Sequence, residues 1–377
     1  MTNKRVIIDY LSVTFAERYN NLSERNEAYL ILDIFREYFK LDMCQIEESN
    51  YAVNNFRYQF ILNKYIILRC FGPLNDFGYR TCQLELKGDG CREFERLKEG
   101  ISSWYDFFEF LMGFNPTFKR IDITIDDISG KEIPLKYLYD KIEGNTYTSI
   151  FKTEPKILGT LKRGLTIDFG SRNSKTELCI YDKYKQQKTL KKEVPYEYWT
   201  RYEMRFRQGK ADAIVLDLLE NYKDEEDVIY GIRLKAFATK ALYSILDIKE
   251  NSKVDKNHLY REKTDPKWLS FLETTEKGIL PKAEMRKSTS ETSYNYIMPK
   301  AKMILLLWFV EAKCNKQLFE ERLYHELFTL LSNTSRMQLK RFNQFMIERK
   351  MPTYTDEAFK ELLKEISKII EEGELPF

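Results

Sequence analysis

The chain has 377 residues, 43% of them hydrophobic and 14% aromatic, with 15 glycines and 10 prolines, which excludes a disordered or fibrous protein and leaves room for two or three cores. Its 61 basic and 58 acidic residues give a net charge of only +3. The balance is uneven, however: 15 Lys and Arg stand against 7 Asp and Glu between Lys152 and Lys210, a field that suits a polyanionic partner as well as a solvated lysine-rich surface.

In chain order, residues 6–15 (VIIDYLSVTF) read as a strand. Residues 26–39 read as a helix, with Tyr29, Leu30, Leu32, Ile34, Phe35 and Tyr38 at helical spacing. Strand patterns return at 56–62, 65–71 and 81–86. LKGDGCREFE carries two glycines and leads into a helix to about Glu99, and an aromatic helix covers 103–114. After Pro116 the run FKRIDITIDDI is a strand with Ile121, Ile123 and Ile125 on one face and Asp122, Thr124 and Asp126 on the other. It shares with IIDYLSVTF an aspartate inside a β-branched strand that leads to a helix, which suggests an internal duplication of a βαβ-type unit.

A short helix at 134–142, strands around Leu165 and Tyr181, and YEMRFR then complete a sheet with helices on one face. Residues 211–222 and 229–248 read as helices. The expected division is an N-terminal α+β subdomain (1–115), a catalytic subdomain (116–250), a polar linker or arm (251–301) with one short helix at 267–275, and an all-helical C-terminal module (302–377). There is no apolar signal segment at the start, and the longest apolar run, Met303 to Val310, is too short to span a bilayer. The chain therefore reads as a cytoplasmic protein without a membrane partner.

The chemistry concentrates between Phe169 and Arg207. Leu178 and Ile180 alternate with Cys179 and Tyr181, so Tyr181 stands opposite the core at a strand end, beside Lys183 and Lys185. In the next strand Tyr202, Met204 and Phe206 alternate with Arg201, Glu203, Arg205 and Arg207. A phenol among cations, next to a carboxylate among arginines, suits cleavage of a phosphodiester by a protein nucleophile. Tyr184 is the alternative nucleophile and Cys179 a weaker one.

Six scattered cysteines without a CxxC pair, and only two histidines, His258 and His325, argue against a zinc ribbon, a histidine metal site or a Ser-His-Asp triad. No GxxxxGK[ST] and no GxGxxG after a strand is present. Any metal would rest on carboxylates such as Asp122, Asp126 and Glu203, a set suited to Mg²⁺ or Mn²⁺. On spacing alone, Asp126 and Asp127 capping the turn before Ser129-Gly130, with Glu203 pairing its neighbouring arginines, is an equal reading.

Five pieces in order, VIIDYLSVTF, LKGDGCREFE, FKRIDITIDD, FGSRNSKTELCIYDK and RYEMRFR, resemble the trans-acting replication initiators of rolling-circle plasmids in Gram-positive bacteria and the related relaxases of integrative conjugative elements. DPKWLSFLETTEKGILPK and the helix after it also look like the family's C-terminal extension, so the likeness covers about residues 5–310. The resemblance implies an α+β fold with an HUH-nickase-like antiparallel sheet core that need not hold its metal with histidines. It further implies site- and strand-specific nicking of origin DNA, single-stranded, in a hairpin or in supercoiled duplex, through a covalent 5′-phosphotyrosine that leaves a free 3′-OH.

By motif position Tyr181 is the nucleophile, and Asp122, Asp126 and Glu203 fall on the acidic positions. Lys183, Arg201 and Arg205 would favour the phenolate, while Arg92, Arg172, Lys185 and Arg207 would contact backbone phosphates beside them. A host helicase and a second copy of the chain are the further partners expected. A non-catalytic DNA-binding protein of the same fold, or a structural α+β protein with a charged surface, are the rival readings.

Overall fold

The computed structural model describes residues 4–16, 23–49, 55–73, 80–97, 103–130, 133–222, 233–250 and 256–282, with five further positions between 355 and 364. The chain divides into two compact units, one of residues 1–73 and 80–285 and one of residues 74–79 and 286–377. All but five residues of the expected helical module at 302–377, and residues 251–255 and 283–301 of the expected arm, lie outside the described residues. The account below concerns the first unit.

Its strands in chain order are β1 (Lys4–Phe15), β2 (Ile46–Ser49), β3 (Tyr58–Leu62), β4 (Ile66–Cys70), β5 (Cys82–Lys87), β6 (Thr117–Asp127), β7 (Tyr147–Ser149), β8 (Lys156–Thr160), β9 (Gly164–Phe169), β10 (Thr176–Asp182), β11 (Thr200–Arg207) and β12 (Leu246–Ile248). The helices are α1 (Glu24–Phe39), α2 (Gly88–Leu97), α3 (Trp104–Met112), α4 (Leu135–Glu143), α5 (Lys183–Thr189), α6 (Gly209–Asn221), α7 (Leu234–Ile245) and α8 (Pro266–Leu272). Local chemistry sets their starts. Ser23 caps α1 through Asn26 N, Ser103 and Asp106 form a capping box on α3, Asp182 caps α5 through Lys185 N, and Asp265 precedes a proline at the first turn of α8.

Ten strands form one sheet in the order β2-β3-β4-β5-β1-β6-β11-β10-β9-β8, with β7 and β12 as a separate pair. The order reads the same from either edge. β1 and β6, the two strands with the shared pattern, lie side by side at the centre, and the last strand of each half, β5 or β11, lies next to its first. Every pairing in the sheet is antiparallel, so the repeated unit is not a βαβ crossover. Each half instead runs strand, helix, an antiparallel set of strands and a closing helix, α2 or α6.

One face of the sheet is apolar. Ile121, Ile123 and Ile125 of β6, Tyr202, Met204 and Phe206 of β11, and Leu178 and Ile180 of β10 are all 0–1% exposed there. Helices cover this side: Phe35, Phe39, Phe94 and Phe107 stack among themselves, and Trp268 and Phe271 of α8 pack on Tyr202. At roughly 1.5–3 kcal/mol for each large side chain buried, this layer holds the sheet and leaves its other face free for polar residues. No described helix is long and apolar enough to cross a membrane.

Candidate active site

The ladder registers lay out the second face of the sheet as a grid. Glu177, Cys179 and Tyr181 of β10 stand opposite Arg205, Glu203 and Arg201 of β11. These in turn stand opposite Asp122, Thr124 and Asp126 of β6. Alternation in three strands thus brings Tyr181 and the acidic residues named from the sequence onto one face.

Tyr181 is 8% exposed, and its hydroxyl donates to Glu203 Oε2 over 3.0 Å. Burial raises the phenol's pKa and the Glu203 carboxylate raises it further, against the lowering effect of Arg201. The expected cationic activation is therefore outweighed in this state, and the phenol is a protonated donor. Burial would also raise the Glu203 pKa, but Arg205 and then Arg201 more than offset it and hold the carboxylate low. A neutral phenol against an ionised carboxylate is an arrangement that can pass a proton from the one to the other.

Lys183 sits with its Nζ 5.6 Å from the centre of the Tyr181 ring, and burial and then Arg201 lower its pKa. Tyr184 is the second residue of α5, with Lys188 against its ring, and it makes no bond to Glu203. Cys179 is buried, and burial and its bond to Asp168 push the thiol up, away from thiolate.

The arginines of this face are tied to its carboxylates. Arg201 forks onto Asp126 at 2.7 and 2.9 Å and donates its third nitrogen to Asp9 Oδ2 at 2.6 Å. Arg205 bonds Glu203 Oε1 at 2.7 Å and Glu177 at 3.3 Å, and Arg207 bonds Glu177 at 2.6 Å. Arg201, Arg205 and Arg207 thus act first as a frame that orients the acids.

The remaining cations named from the sequence are dispersed. Arg92 donates to the Ile8 carbonyl and to Glu95, bracing β1. Lys185 donates to the Leu161 carbonyl and pairs with Asp182 at 3.2 Å, holding the β8–β9 turn. Arg172 is exposed, but in the turn before β10, at the opposite end of that strand from Tyr181.

Among the described residues, no three His, Cys, Asp or Glu side chains converge on a point. Both oxygens of Asp122 accept from Arg120, at 2.8 and 2.5 Å, and both oxygens of Asp126 accept from Arg201. Burial raises the Asp122 pKa despite Arg120. Asp127, not Asp126, caps the following turn, accepting from Ser129 N, Ser129 Oγ and Gly130 N at 2.9–3.1 Å. Thr124 Oγ1, level with Glu203, is buried without a hydrogen-bond partner.

Three features escaped the sequence reading. Asp9 lies at a register shift between Ile8 and Tyr10, where the bulge places its carboxylate against Arg201 and within the field of Glu203. Burial raises its pKa, Arg201 lowers it and Glu203 raises it again. The signal was present: the core residues Ile8, Leu11, Val13 and Phe15 break the two-residue period by one position.

Trp199 extends the polar row of β11 by one step, with the Arg201 guanidinium 5.5 Å from its ring. Finally, Lys162, Arg163 and Lys188 are exposed on the β8–β9 turn and α5, at the Tyr181 end of the sheet.

Residues 5–110 match the rolling-circle replication initiation protein N-terminal domain, and residues 116–316, more than half of the chain, match the replication initiation factor family. The chain belongs to the replication initiation factor family. It is 34% identical over 153 residues to the putative DNA relaxase NicK of Bacillus subtilis (strain 168), a match that spans 38% of this chain and 43% of that relative. The fold is similar to that of the rolling-circle replication initiator protein from Geobacillus stearothermophilus, with a TM-score of 0.56 and 19% identity over 74% of this chain and all of that one. The first half of the sheet thus lies in the segment matched to the rolling-circle N-terminal domain, and the second half in the segment matched to the replication initiation factor family.

Proposed function

We propose that the chain is a site- and strand-specific DNA nickase that opens a plasmid or mobile-element origin, starting rolling-circle replication or conjugative transfer. The observation that carries this is the hydrogen bond from Tyr181 to Glu203, seated in a frame of arginines on the polar face of the sheet. The Tyr181 Oη forms a bond to phosphorus as the bond from phosphorus to the 3′ oxygen breaks, and the phenolic proton passes to Glu203 Oε2. The departing 3′ oxygen takes its proton from Lys183, whose lowered pKa makes it a ready donor. The product is a 5′-phosphotyrosine with a free 3′-OH; because the link conserves the energy of the cut bond, rejoining needs no nucleotide.

Asp9, which gives Oδ2 to Arg201 and keeps Oδ1, is the carboxylate that would hold Mg²⁺ or Mn²⁺, with DNA phosphate and water completing the shell, since such a cation commonly takes one or two protein carboxylates. When bound, the cation would polarise the phosphate oxygens. Lys162, Arg163 and Lys188 line the approach of the strand and give affinity without reading sequence. Origin DNA is the partner and the cytoplasm the place of action. The retained pairing of Tyr181 with Glu203 favours this reading over a DNA-binding protein that has lost cleavage.

The test is incubation with Mn²⁺ or Mg²⁺ and supercoiled DNA carrying the origin region of its own element. The expected result is a nicked circle with protein bound to its 5′ end, absent for Tyr181→Phe, which still binds the DNA. Tight binding of the origin by the wild-type protein with no cut would contradict the proposal.

A further inference from the structure

We propose that Trp199 is a stacking platform for a nucleobase of single-stranded DNA next to the phosphate that Tyr181 attacks, an inference that rests on the nicking reading. Three aromatic residues stand together before β11, and the structure separates them. Tyr198 is committed to the fold: its hydroxyl accepts from Leu135 N at 3.0 Å and from Thr200 Oγ1 at 2.8 Å. Its ring also fills the space at Gly130, where an added Cβ would come within 2.5 Å of it.

Trp199 has no such commitment. Its indole Nε1 has no hydrogen-bond partner, whereas the N–H groups of Trp104 and Trp268, both fully buried, donate to Glu95 and to the Leu246 carbonyl. A tryptophan used as a structural anchor ordinarily spends its N–H on a partner. Trp199 is half-buried, with Tyr196 against it edge-on at 5.6 Å. Tyr196, Arg201 and Lys183 hold the ring in place, and it keeps part of its surface open to solvent.

Its position gives the ring a use. Arg201 stands opposite Tyr181 in the ladder, and Trp199 lies two residues before Arg201 on the same strand face. The Lys183 Nζ lies 5.6 Å from the Tyr181 ring and 5.9 Å from the Trp199 ring, so one cation bridges nucleophile and indole. A phosphate drawn to Lys183 and Tyr181 puts a flanking base within reach of Trp199. A base can turn onto a ring only where it is unpaired, so the platform selects single-stranded DNA at the point of cutting. Every base has a π-face, so it does so with little regard to sequence.

The test uses the full chain without divalent cation and a 5′-fluorescein-labelled 20-nucleotide oligothymidylate, alone or annealed to its complement, with binding read by anisotropy. Trp199→Ala is expected to weaken single-strand binding about tenfold, within the range for loss of one stacked base, and to leave duplex binding and the salt dependence unchanged. Trp199→Phe is expected to keep binding within about threefold of wild type, since a phenyl ring still stacks. The unlabelled oligothymidylate should quench tryptophan emission of the wild-type protein and not of Trp199→Phe.

Equal single-strand affinity of wild type and Trp199→Ala, or quenching that persists in Trp199→Phe, would overturn the platform while leaving the nicking reading intact. Equal losses on single strand and duplex in both variants would also overturn it, by assigning Trp199 to the fold. A wild-type protein that binds neither DNA would overturn the platform, while absence of nicking on its own origin DNA is what would overturn the nicking reading.

Discussion

The Tyr181 hydroxyl donates to Glu203 Oε2 over 3.0 Å, so the carboxylate that would accept the phenolic proton also keeps that proton in place at rest. Burial raises the phenol's pKa first and Glu203 second, which makes the resting site a guarded one. Glu203→Gln removes a negative charge and therefore lowers the Tyr181 pKa. The same change removes the proton acceptor. Nicking should fall by about two orders of magnitude or more, while ¹³C-tyrosine NMR should show the Tyr181 signal titrating at lower pH than in wild type. A variant that nicks normally would leave Glu203 only a pairing role with Arg205.

Asp9 gives one oxygen to Arg201 and feels the charge of Glu203. Asp9→Asn keeps an acceptor for Arg201 and removes one anionic ligand. The Mn²⁺ concentration for half-maximal nicking should rise at least about tenfold, with little change in thermal melting. An unchanged Mn²⁺ dependence would remove Asp9 from the proposed shell.

Arg201 and Asp126 have side chains 4% and 1% exposed and meet in a two-bond fork. Removing the guanidinium strands a buried carboxylate, so Arg201→Ala should cost about 3–5 kcal/mol, read as a lower urea midpoint. The paired replacement Arg201→Met with Asp126→Leu should recover most of that loss, because neither member is then left unpaired. Failure of the paired replacement to recover it would mean that Arg201 holds more than Asp126 in place, Asp9 first.

Lys162 and Arg163 are exposed on the β8–β9 turn and would make simple phosphate contacts. Their joint replacement by Ala should weaken single-strand binding and flatten the slope of log affinity against log salt by about 0.7 for each lost contact. An unchanged slope would move the strand's path elsewhere.

Strand alternation made much of this site legible in the sequence. The two-residue period in TELCIYD and TRYEMRFR separated Tyr181 and Glu203 from the core, and the registers then set them side by side. The likeness between VIIDYLSVTF and RIDITIDDI corresponds to the two central strands of a sheet whose order is mirrored about them.

What could not be read was which cation each acid takes up. Asp122 and Asp126 looked available, yet Arg120 and Arg201 occupy both oxygens of each, since a face that alternates acid and base closes on itself. Asp9 was hidden because a bulge redirects a side chain that simple alternation would not place. Short elements such as β2, β7, β8 and α5 were also missed, being held by their neighbours rather than by a pattern of their own.

The most direct measurement is peptide mass spectrometry of the adduct formed when the protein is stopped with detergent after Mn²⁺-dependent reaction on its own origin DNA. The account predicts a nucleotide mass joined through phosphate to Tyr181, with none on Tyr184. An adduct on Tyr184, or efficient cleavage with no protein-linked 5′ end, would contradict it.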